Sequence, residues 1–413
     1  MSTDAAKLDA FRKEVRAWLK ANLPKGWGTP VYNPPDPFSQ EAHELGKSWQ
    51  KKLYDAGYTG FGYPKEYGGI ERPPQEIAII REELMRYGTP GGPLSLGQLM
   101  AAPDIMAHGQ EWQKKRFIPK ILSGEESWCE LFSEPNAGSD IANIQTTAVK
   151  DGDQWVVNGQ KIWTSMWEFA DFGILAAKTD PTVPRHHNLT CVIVDCSSPG
   201  YTRGPLKQMT GSAEFGEEYF DNMRVPDKNR LGEVNQGWGV VLTALMSERS
   251  GGGGPGGGGF WAGGGASDVA AALGTGVLGI YSLINLAKET CRYGKPVWED
   301  ASFRQKIAQI AIEQEAMRCS GRRMVARMRK GIMPTNEASM IKNFQAEMRR
   351  RHGDLATEII GAYSQLNRGS KRAINEGQWV YQMMRARGAT IEMGTSEVNR
   401  NIIAERILGL PRA

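Results

Sequence analysis

The apolar residues of this 413-residue chain change their spacing twice. Near the N-terminus, Leu8, Phe11, Val15, Trp18 and Leu19 recur at the three-to-four spacing that puts side chains on one face of a helix. Ile77, Ile79, Ile80 and Leu84 predict a second buried helix, and the Pro-rich stretch 27–37 predicts a loop. Beyond about residue 127 the texture changes. Thr146-Thr-Ala-Val, Gln154-Trp-Val-Val, Phe172-Gly-Ile-Leu-Ala-Ala-Lys and Leu189-Thr-Cys-Val-Ile-Val-Asp are short and rich in strand formers. Turns such as Asp151-Gly-Asp and Asn158-Gly separate them. From Asn235 onward helical spacing returns, at 278–287, 307–329, 336–351, 355–363 and 397–408. The order helical, β, helical is not an alternating βαβ chain, which argues against a Rossmann domain. The expectation is an α+β protein with an N-terminal helical domain (1–126), a middle antiparallel β domain (127–235) and a C-terminal helical bundle (236–413).

Glycine is the compositional anomaly. The chain has 49, about 12% against a usual value of about 7%. Eleven of them crowd into Gly251–Gly265, directly after a helical segment. A phosphate-binding loop needs a strand, a tight glycine turn and a helix start whose N–H groups face the anion. Here a helix leads into the tract and no Gly-Lys-Ser/Thr follows, so a loop of special packing is the preferred reading. The net charge of +4 is too small to mark a nucleic-acid surface. Five cysteines without framework spacing point away from structural zinc and disulfides, and no metal site is expected. The N-terminus lacks the signal-peptide pattern and no apolar run is long enough to span a membrane, so a reduced cytoplasmic compartment is expected.

Three motifs carry the chemistry. They are Leu131-Phe-Ser-Glu-Pro-Asn-Ala-Gly-Ser-Asp140, Trp155-Val-Val-Asn-Gly-Gln-Lys-Ile-Trp163-Thr-Ser165 and Gly394-Thr-Ser-Glu-Val-Asn-Arg400. With Arg224-Val-Pro226 before Leu231-Gly-Glu233, and Tyr293-Gly-Lys-Pro296, their order and spacing resemble the acyl-CoA dehydrogenase family of FAD-dependent flavoproteins over nearly the whole chain. Read on their own, Ser133 and Ser165 are short hydroxyls suited to a flavin edge, and Trp163 offers a flat indole to one ring face. The resemblance implies that Phe132, Ser133, Trp163, Thr164 and Ser165 contact the isoalloxazine. Gly138 and Ser139 would approach phosphates, and Tyr293, Thr395 and Glu397 would complete the FAD contacts. It further implies Ser139 and Arg249 at the substrate.

The family reaction needs a carboxylate to remove the α-proton of an acyl thioester. In many members it immediately precedes the Gly-Thr of the last motif, but Met393 stands there, beside Glu392. A second branch places it on a C-terminal-domain helix before an Arg, which matches Glu248-Arg249. At about 100° per residue Glu248 falls roughly 20° from Val241 and beside Leu245, on the apolar face. A carboxylate on a buried stripe is expected to hold its proton more tightly. Glu248 is therefore the preferred base, the alternatives being Glu392 or no competent base in this chain.

Three departures from the family pattern concern the cofactor and the acyl pocket. Thr290 replaces an Arg that normally reaches the neighbouring subunit's cofactor, although Arg292 lies nearby and Tyr293 keeps the aromatic. Glu358-Ile-Ile-Gly361-Ala362 replaces a Gln-containing cross-subunit segment. The Gly251–Gly265 tract interrupts a helix where the family continues one, which would widen an acyl pocket. The expected function is α,β-dehydrogenation of an acyl-CoA, with a bulky or ring-bearing acyl group. The expected partners are an electron-transfer flavoprotein and an oligomer, homomeric or heteromeric (dimer or tetramer, including α2β2). An acyl-CoA oxidase and a non-catalytic subunit of a flavoprotein complex remain the alternatives.

Overall fold

The computed structural model describes residues 3–29, 39–90, 96–249, 279–328 and 337–412, with the single residues 32, 35 and 330. The glycine tract and the end of the Pro-rich loop lie outside them. The chain forms two compact units, 1–259 and 260–413.

The first unit begins with helices α1 (Thr3–Asn22), α2 (Gln40–Asp55) and α3 (Pro74–Tyr87). Their apolar faces meet around Val15, Leu19, Trp49, Leu53 and Ile80. Arg12 and Arg16 of α1 both pair with the buried carboxylate of Glu83 on α3, at 2.6 and 2.7 Å, which fixes how the two helices face each other. A π-helical turn (Gly97–Ala101) leads into α4 (Ala102–His108), and α5 (Glu111–Ser123) follows.

The β region is one eight-stranded sheet. Its strands are β1 (Trp128–Leu131), β2 (Thr147–Asp151), β3 (Gln154–Ser165), β4 (Phe172–Lys178), β5 (Leu189–Asp195), β6 (Tyr201–Leu206), β7 (Phe215–Pro226) and β8 (Arg230–Leu231). The order is β6-β7-β3-β2-β4-β5-β8, with β1 also on β4. The antiparallel expectation holds for most pairs, but β1 runs parallel to β4, and β2 meets β4 in parallel at Thr147–Lys178. Both faces of β4 and β5 are covered, which explains their unbroken apolar runs. Ile174, Ala176, Cys191 and Ile193 pack towards Ile105, Ile118, Val240 and Val241. The alternate residues Leu175, Ala177, Val192 and Val194 pack with Trp155, Val157, Phe220 and Met223 of the same sheet, which curls over them.

Helix α6 (Gly237–Arg249) closes the first unit by burying Val240, Val241 and Ala244 in that core. It can lie close to β5 because residue 237 has no side chain. A Cβ there would stand 2.8 Å from the Cys191 nitrogen and from Thr190 Cα, both backbone atoms.

The second unit is helical, with α7 (Ile280–Glu289), α8 (Ala301–Met328), α9 (Glu337–Ile360), α10 (Gln378–Ala389) and α11 (Ser396–Ile402). A two-stranded ribbon, β9 (Cys291–Arg292) and β10 (Lys295–Pro296), follows α7. Leu283, Leu286, Phe303, Ile307, Leu355, Ile359 and Trp379 form its core. The expected break between 351 and 355 is absent, because α9 runs through His352-Gly353-Asp354. Gly353 serves close packing instead, since a Cβ would come within 2.8 Å of Met383 Cα on α10. Among the described residues no helix is long and apolar enough to cross a membrane. All five cysteines are free.

Gly237→Ala should therefore lift α6 off β5. The expected cost is about 1–3 kcal/mol, read as a lower denaturant midpoint. An unchanged midpoint would contradict so close an approach of helix to strand.

Candidate functional site

The first motif leaves β1 at Leu131 and is held by a buried ion pair. Lys161 of β3 is completely buried. Its Nζ donates to Glu134 Oε1 at 2.8 Å and to the Phe132 carbonyl at 3.0 Å. Glu134 also accepts the backbone N–H groups of Gln145 (2.5 Å) and Thr146 (2.9 Å). Ile162 N–H donates to the Ser133 carbonyl at 2.9 Å. Burial lowers the Lys161 pKa to about 8, with Glu134 opposing the shift. Burial raises that of Glu134, but Lys161 and the backbone donors outweigh it and the net shift is downward. Both groups are therefore charged at neutral pH.

This clamp fixes the end of β3. The β3–β7 register shifts between Ile162 and Thr164, and Trp163 at the bulge adopts a φ of +66°. A bulky residue rarely takes that conformation, and such strain gathers at functional sites. Its consequence here is that the indole stands 53% exposed, edge-on to Phe215. Ser133, on the loop after β1, and Ser165, at the end of β3, are half-buried, and Gly138 and Ser139 are exposed on that loop. A Cβ on Gly138 would meet no atom within 4 Å, so the loop is open on that side.

Two of the expected contact residues are buried. The Phe132 ring lies in the core and its carbonyl accepts from Lys161. The buried Thr164 hydroxyl donates to Glu218. Glu218 is itself fully buried, and burial pushes its pKa up to about 7 despite that donor.

Glu248 lies half-buried in the last turn of α6, one turn after Ala244 and two after Val241, as the helical spacing predicts. Its charge reaches Glu130 of β1. His108 of α4 and Thr243 of α6 share a hydrogen bond of 2.8 Å that ties the two helices together. The side chain of Arg249 lies outside the described residues.

In the second unit, Glu392 is paired with Arg385 at 2.8 Å. Burial raises its pKa, but the charges of Arg385, Arg349 and Lys342 prevail and hold it below the usual range. Thr395 caps α11 by accepting the Val398 N–H at 3.1 Å, and Glu397 is exposed. Tyr293 is fully exposed at the tip of the β9–β10 ribbon, where Tyr293 and Gly294 both have positive φ. Arg292 donates to the Glu358 carbonyl and the Glu358 carboxylate pairs with Lys306, so the charge that replaces the family's neutral amide is locally balanced.

Sequence reading missed Lys161, Glu134, Glu218, Asp104 and Glu130. The available signal was a charged residue inside an otherwise apolar run, as in Trp128-Cys-Glu-Leu-Phe132. Among the described residues no group of three potential ligands could hold a metal ion.

Comparison with known proteins agrees with this layout. The N-terminal, middle and C-terminal domain models of acyl-CoA dehydrogenases match residues 6–125, 129–223 and 266–408. The acyl-CoA dehydrogenase IpdE1 of Mycobacterium tuberculosis is 32% identical over 414 residues, 98% of each chain. The solved Tcur3481-Tcur3483 steroid ACAD superimposes with a TM-score of 0.74 at 29% identity, over 99% of this chain and 98% of that one. The ChsE4-ChsE5 complex from Mycobacterium tuberculosis gives 0.73 at 29% identity, over 98% of each chain.

Breaking the clamp on one side should be costly. Lys161→Met leaves Glu134 charged and buried, with an expected loss of about 3–5 kcal/mol. Lys161→Met with Glu134→Gln should recover a large part of it, measured by chemical denaturation. Equal losses in the single and double variants would refute the pairing.

Glu218 supplies a pH test. Its folded pKa is raised, so its contribution to stability is fully present below the unfolded pKa near 4.5 and lost as pH rises towards about 7. Relative to the native chain, Glu218→Gln should gain on the order of 2 kcal/mol between about pH 4.5 and pH 8. Parallel stability curves would show that Glu218 ionises freely.

Proposed function

The chain belongs to the acyl-CoA dehydrogenase family, and from that premise we propose that it dehydrogenates a bulky, ring-bearing acyl-CoA to the trans-2-enoyl-CoA, with Glu248 as the base. The observation that carries the assignment of the base is the contrast between two carboxylates. Glu392, beside the family's more usual position, is an ion-paired anion amid cations, whereas Glu248 stands on the buried stripe of α6, one turn after Ala244 and two after Val241. Cations lower a carboxylate's affinity for a proton.

The residues present fit FAD. A strained, exposed indole next to half-buried Ser133 and Ser165, and an open glycine beside Ser139, form a surface for a flat ring with polar edges and an attached phosphate chain. Trp163 would cover a ring face, Ser133 and Ser165 would serve its polar edge, and Gly138 and Ser139 the phosphates. Tyr293, Thr395 and Glu397 are proposed as further contacts in the assembly. The chemistry FAD supplies when bound is acceptance of the hydride from Cβ. Glu248 takes the proton from Cα at a carboxylate oxygen, so the two hydrogens leave as a proton and a hydride. Ser139 and Arg249 are assigned to substrate binding.

A ring-bearing acyl group is supported by the likeness to a steroid ACAD. A heteromeric assembly is supported by the likeness to the ChsE4-ChsE5 complex, together with Thr290 and Glu358 at two cross-subunit positions. An electron-transfer flavoprotein is proposed as the oxidant.

The test is anaerobic titration of the FAD-loaded protein with a panel of acyl-CoA thioesters, with native mass measured alongside. Flavin bleaching by ring-bearing thioesters is expected. Glu248→Gln should slow it at least about a thousandfold, roughly 4 kcal/mol in the barrier, with FAD still bound. Unimpaired bleaching by that variant would remove Glu248 from the role. Stoichiometric hydrogen peroxide in air would make the enzyme an oxidase.

A further inference from the structure

The turn before α11 adopts a backbone that its sequence does not favour. Met393 has a φ of +57° and Gly394 one of +83°. Glycine takes that left-handed region freely, but a methionine is strained there by the approach of its Cβ to the backbone. A residue in such a conformation persists only where its surroundings over-determine it, and residues of this kind gather at functional sites. The second unit supplies that surplus of constraint on both sides of Met393.

Before it, the Glu392 N–H donates to the Gly388 carbonyl at 2.9 Å, and the Glu392 carboxylate accepts from Arg385 at 2.8 Å. After it, the Gly394 carbonyl accepts from two buried side chains, Lys342 Nζ of α9 at 2.5 Å and Asn399 Nδ2 of α11 at 2.8 Å. The Ser396 N–H donates to the Thr390 carbonyl at 2.9 Å, and the buried Ser396 hydroxyl donates to Glu347 of α9, also at 2.9 Å. Gly388, Thr390 and Asn399 belong to the same local segment as the turn. Lys342 and Glu347 come from α9 and hold the turn from outside it. Burying an ammonium costs free energy unless it is bonded, and a bond from a charged donor is stronger than one from a neutral donor. Beyond the turn stand Thr395, half-buried as the cap of α11, and Glu397, exposed in its first turn. Their placement is fixed by the turn that precedes them.

We propose that Lys342 and Glu347 are positioning residues for the cofactor: they hold the strained Met393-Gly394 turn so that Thr395 and Glu397 are set for FAD before it binds. The inference rests on the flavoprotein reading above. Neither residue touches FAD or substrate in this role; both act through the turn. Holding the turn in advance strengthens binding, because the segment need not be ordered when the ligand arrives. The strain at Met393 also supplies a suppressor. Glycine at 393 would adopt the left-handed backbone unaided, so the turn would depend less on its ties to α9.

The test titrates the apoprotein, in its native assembly, with FAD. The Kd, the visible circular dichroism of the bound flavin and the denaturant midpoint are measured for each variant. Lys342→Met and Glu347→Ala should each weaken FAD binding by about tenfold, the worth of one hydrogen bond, and alter the flavin dichroism. Met393→Gly in the otherwise native chain should raise the midpoint, because it removes the strain, and leave Kd unchanged. Introduced into either weakened variant, Met393→Gly should restore most of the lost affinity. Such rescue separates positioning from general damage, which a glycine in a turn does not repair. Native Kd and native dichroism in both Lys342→Met and Glu347→Ala overturn the proposal, and so does a loss that Met393→Gly leaves untouched. If Lys342→Met does not fold, Glu347→Ala decides, since that side chain is partly exposed. Either overturning result leaves the flavoprotein reading standing. A native protein that binds no FAD would sink that reading instead, and this inference with it.

Discussion

The ammonium of Lys161 has no exposure to solvent, and everything proposed for the middle of the chain depends on how its charge is balanced. Glu134 neutralises it and at the same time accepts two backbone N–H groups from the segment entering β2, while the Phe132 carbonyl takes a further proton of the same ammonium. Three stretches of backbone that are far apart in sequence are thereby joined: the loop after β1, the approach to β2 and the end of β3. Replacing such a pair with apolar residues of similar volume is often neutral or favourable, so stability alone does not account for it. Its evident product is geometric. With Phe132 and Ile162 both anchored, the bulge at Trp163 has nowhere to relax, and the indole stays outside at a backbone angle that the residue would not choose. A surface of this kind is preorganised for a flat ligand, because the strain is borne by the fold before anything binds.

The second constraint is the approach of α6 to the sheet. Gly237 lets the helix begin against the β5 backbone, and the His108–Thr243 hydrogen bond holds it beside α4 further along. Helix geometry then determines what comes last. Val240, Val241 and Ala244 face the core, and the same stripe delivers Glu248 within electrostatic range of β1. Glu248 and the strand that leads into the first motif therefore belong to one compact unit.

Much of the fold was legible in the sequence, because periodicity reports burial directly. The runs Phe172–Lys178 and Leu189–Asp195 coincide with β4 and β5, since residues covered on both faces leave little ambiguity. Parallel pairing of β1 with β4 was not legible, because it depends on a crossover through intervening strands and loops that no local pattern encodes. The break expected between 351 and 355 is absent, and Gly353 lies inside the helix. A mid-helix glycine costs helix propensity, and only the partner helix, with Met383 against Gly353, shows why it is tolerated. The candidate site was legible through motifs, and most residues that the motifs named are exposed or half-exposed. Lys161, Glu134, Asp104 and Glu130 were overlooked for the opposite reason. Each is a single charged residue in a largely uncharged stretch, and sequence alone does not distinguish a buried partner from a solvated one.

The same limit bears on the identification of the base. Position relative to the Gly-Thr motif favours Glu392, which is one residue from where many relatives carry their carboxylate. Position on a helical stripe favours Glu248. The local field at Glu392 argues against the first. At Glu392 three cations act on one carboxylate, one of them in contact at 2.8 Å, and their combined effect exceeds the opposing effect of burial. A carboxylate so stabilised is a poor acceptor for an α-proton, since protonation would surrender the ion pair. Glu248 stands instead on the buried stripe of α6, clear of that cluster of cations in sequence, and its charge acts with burial and Asp104 to raise the pKa of Glu130 on β1.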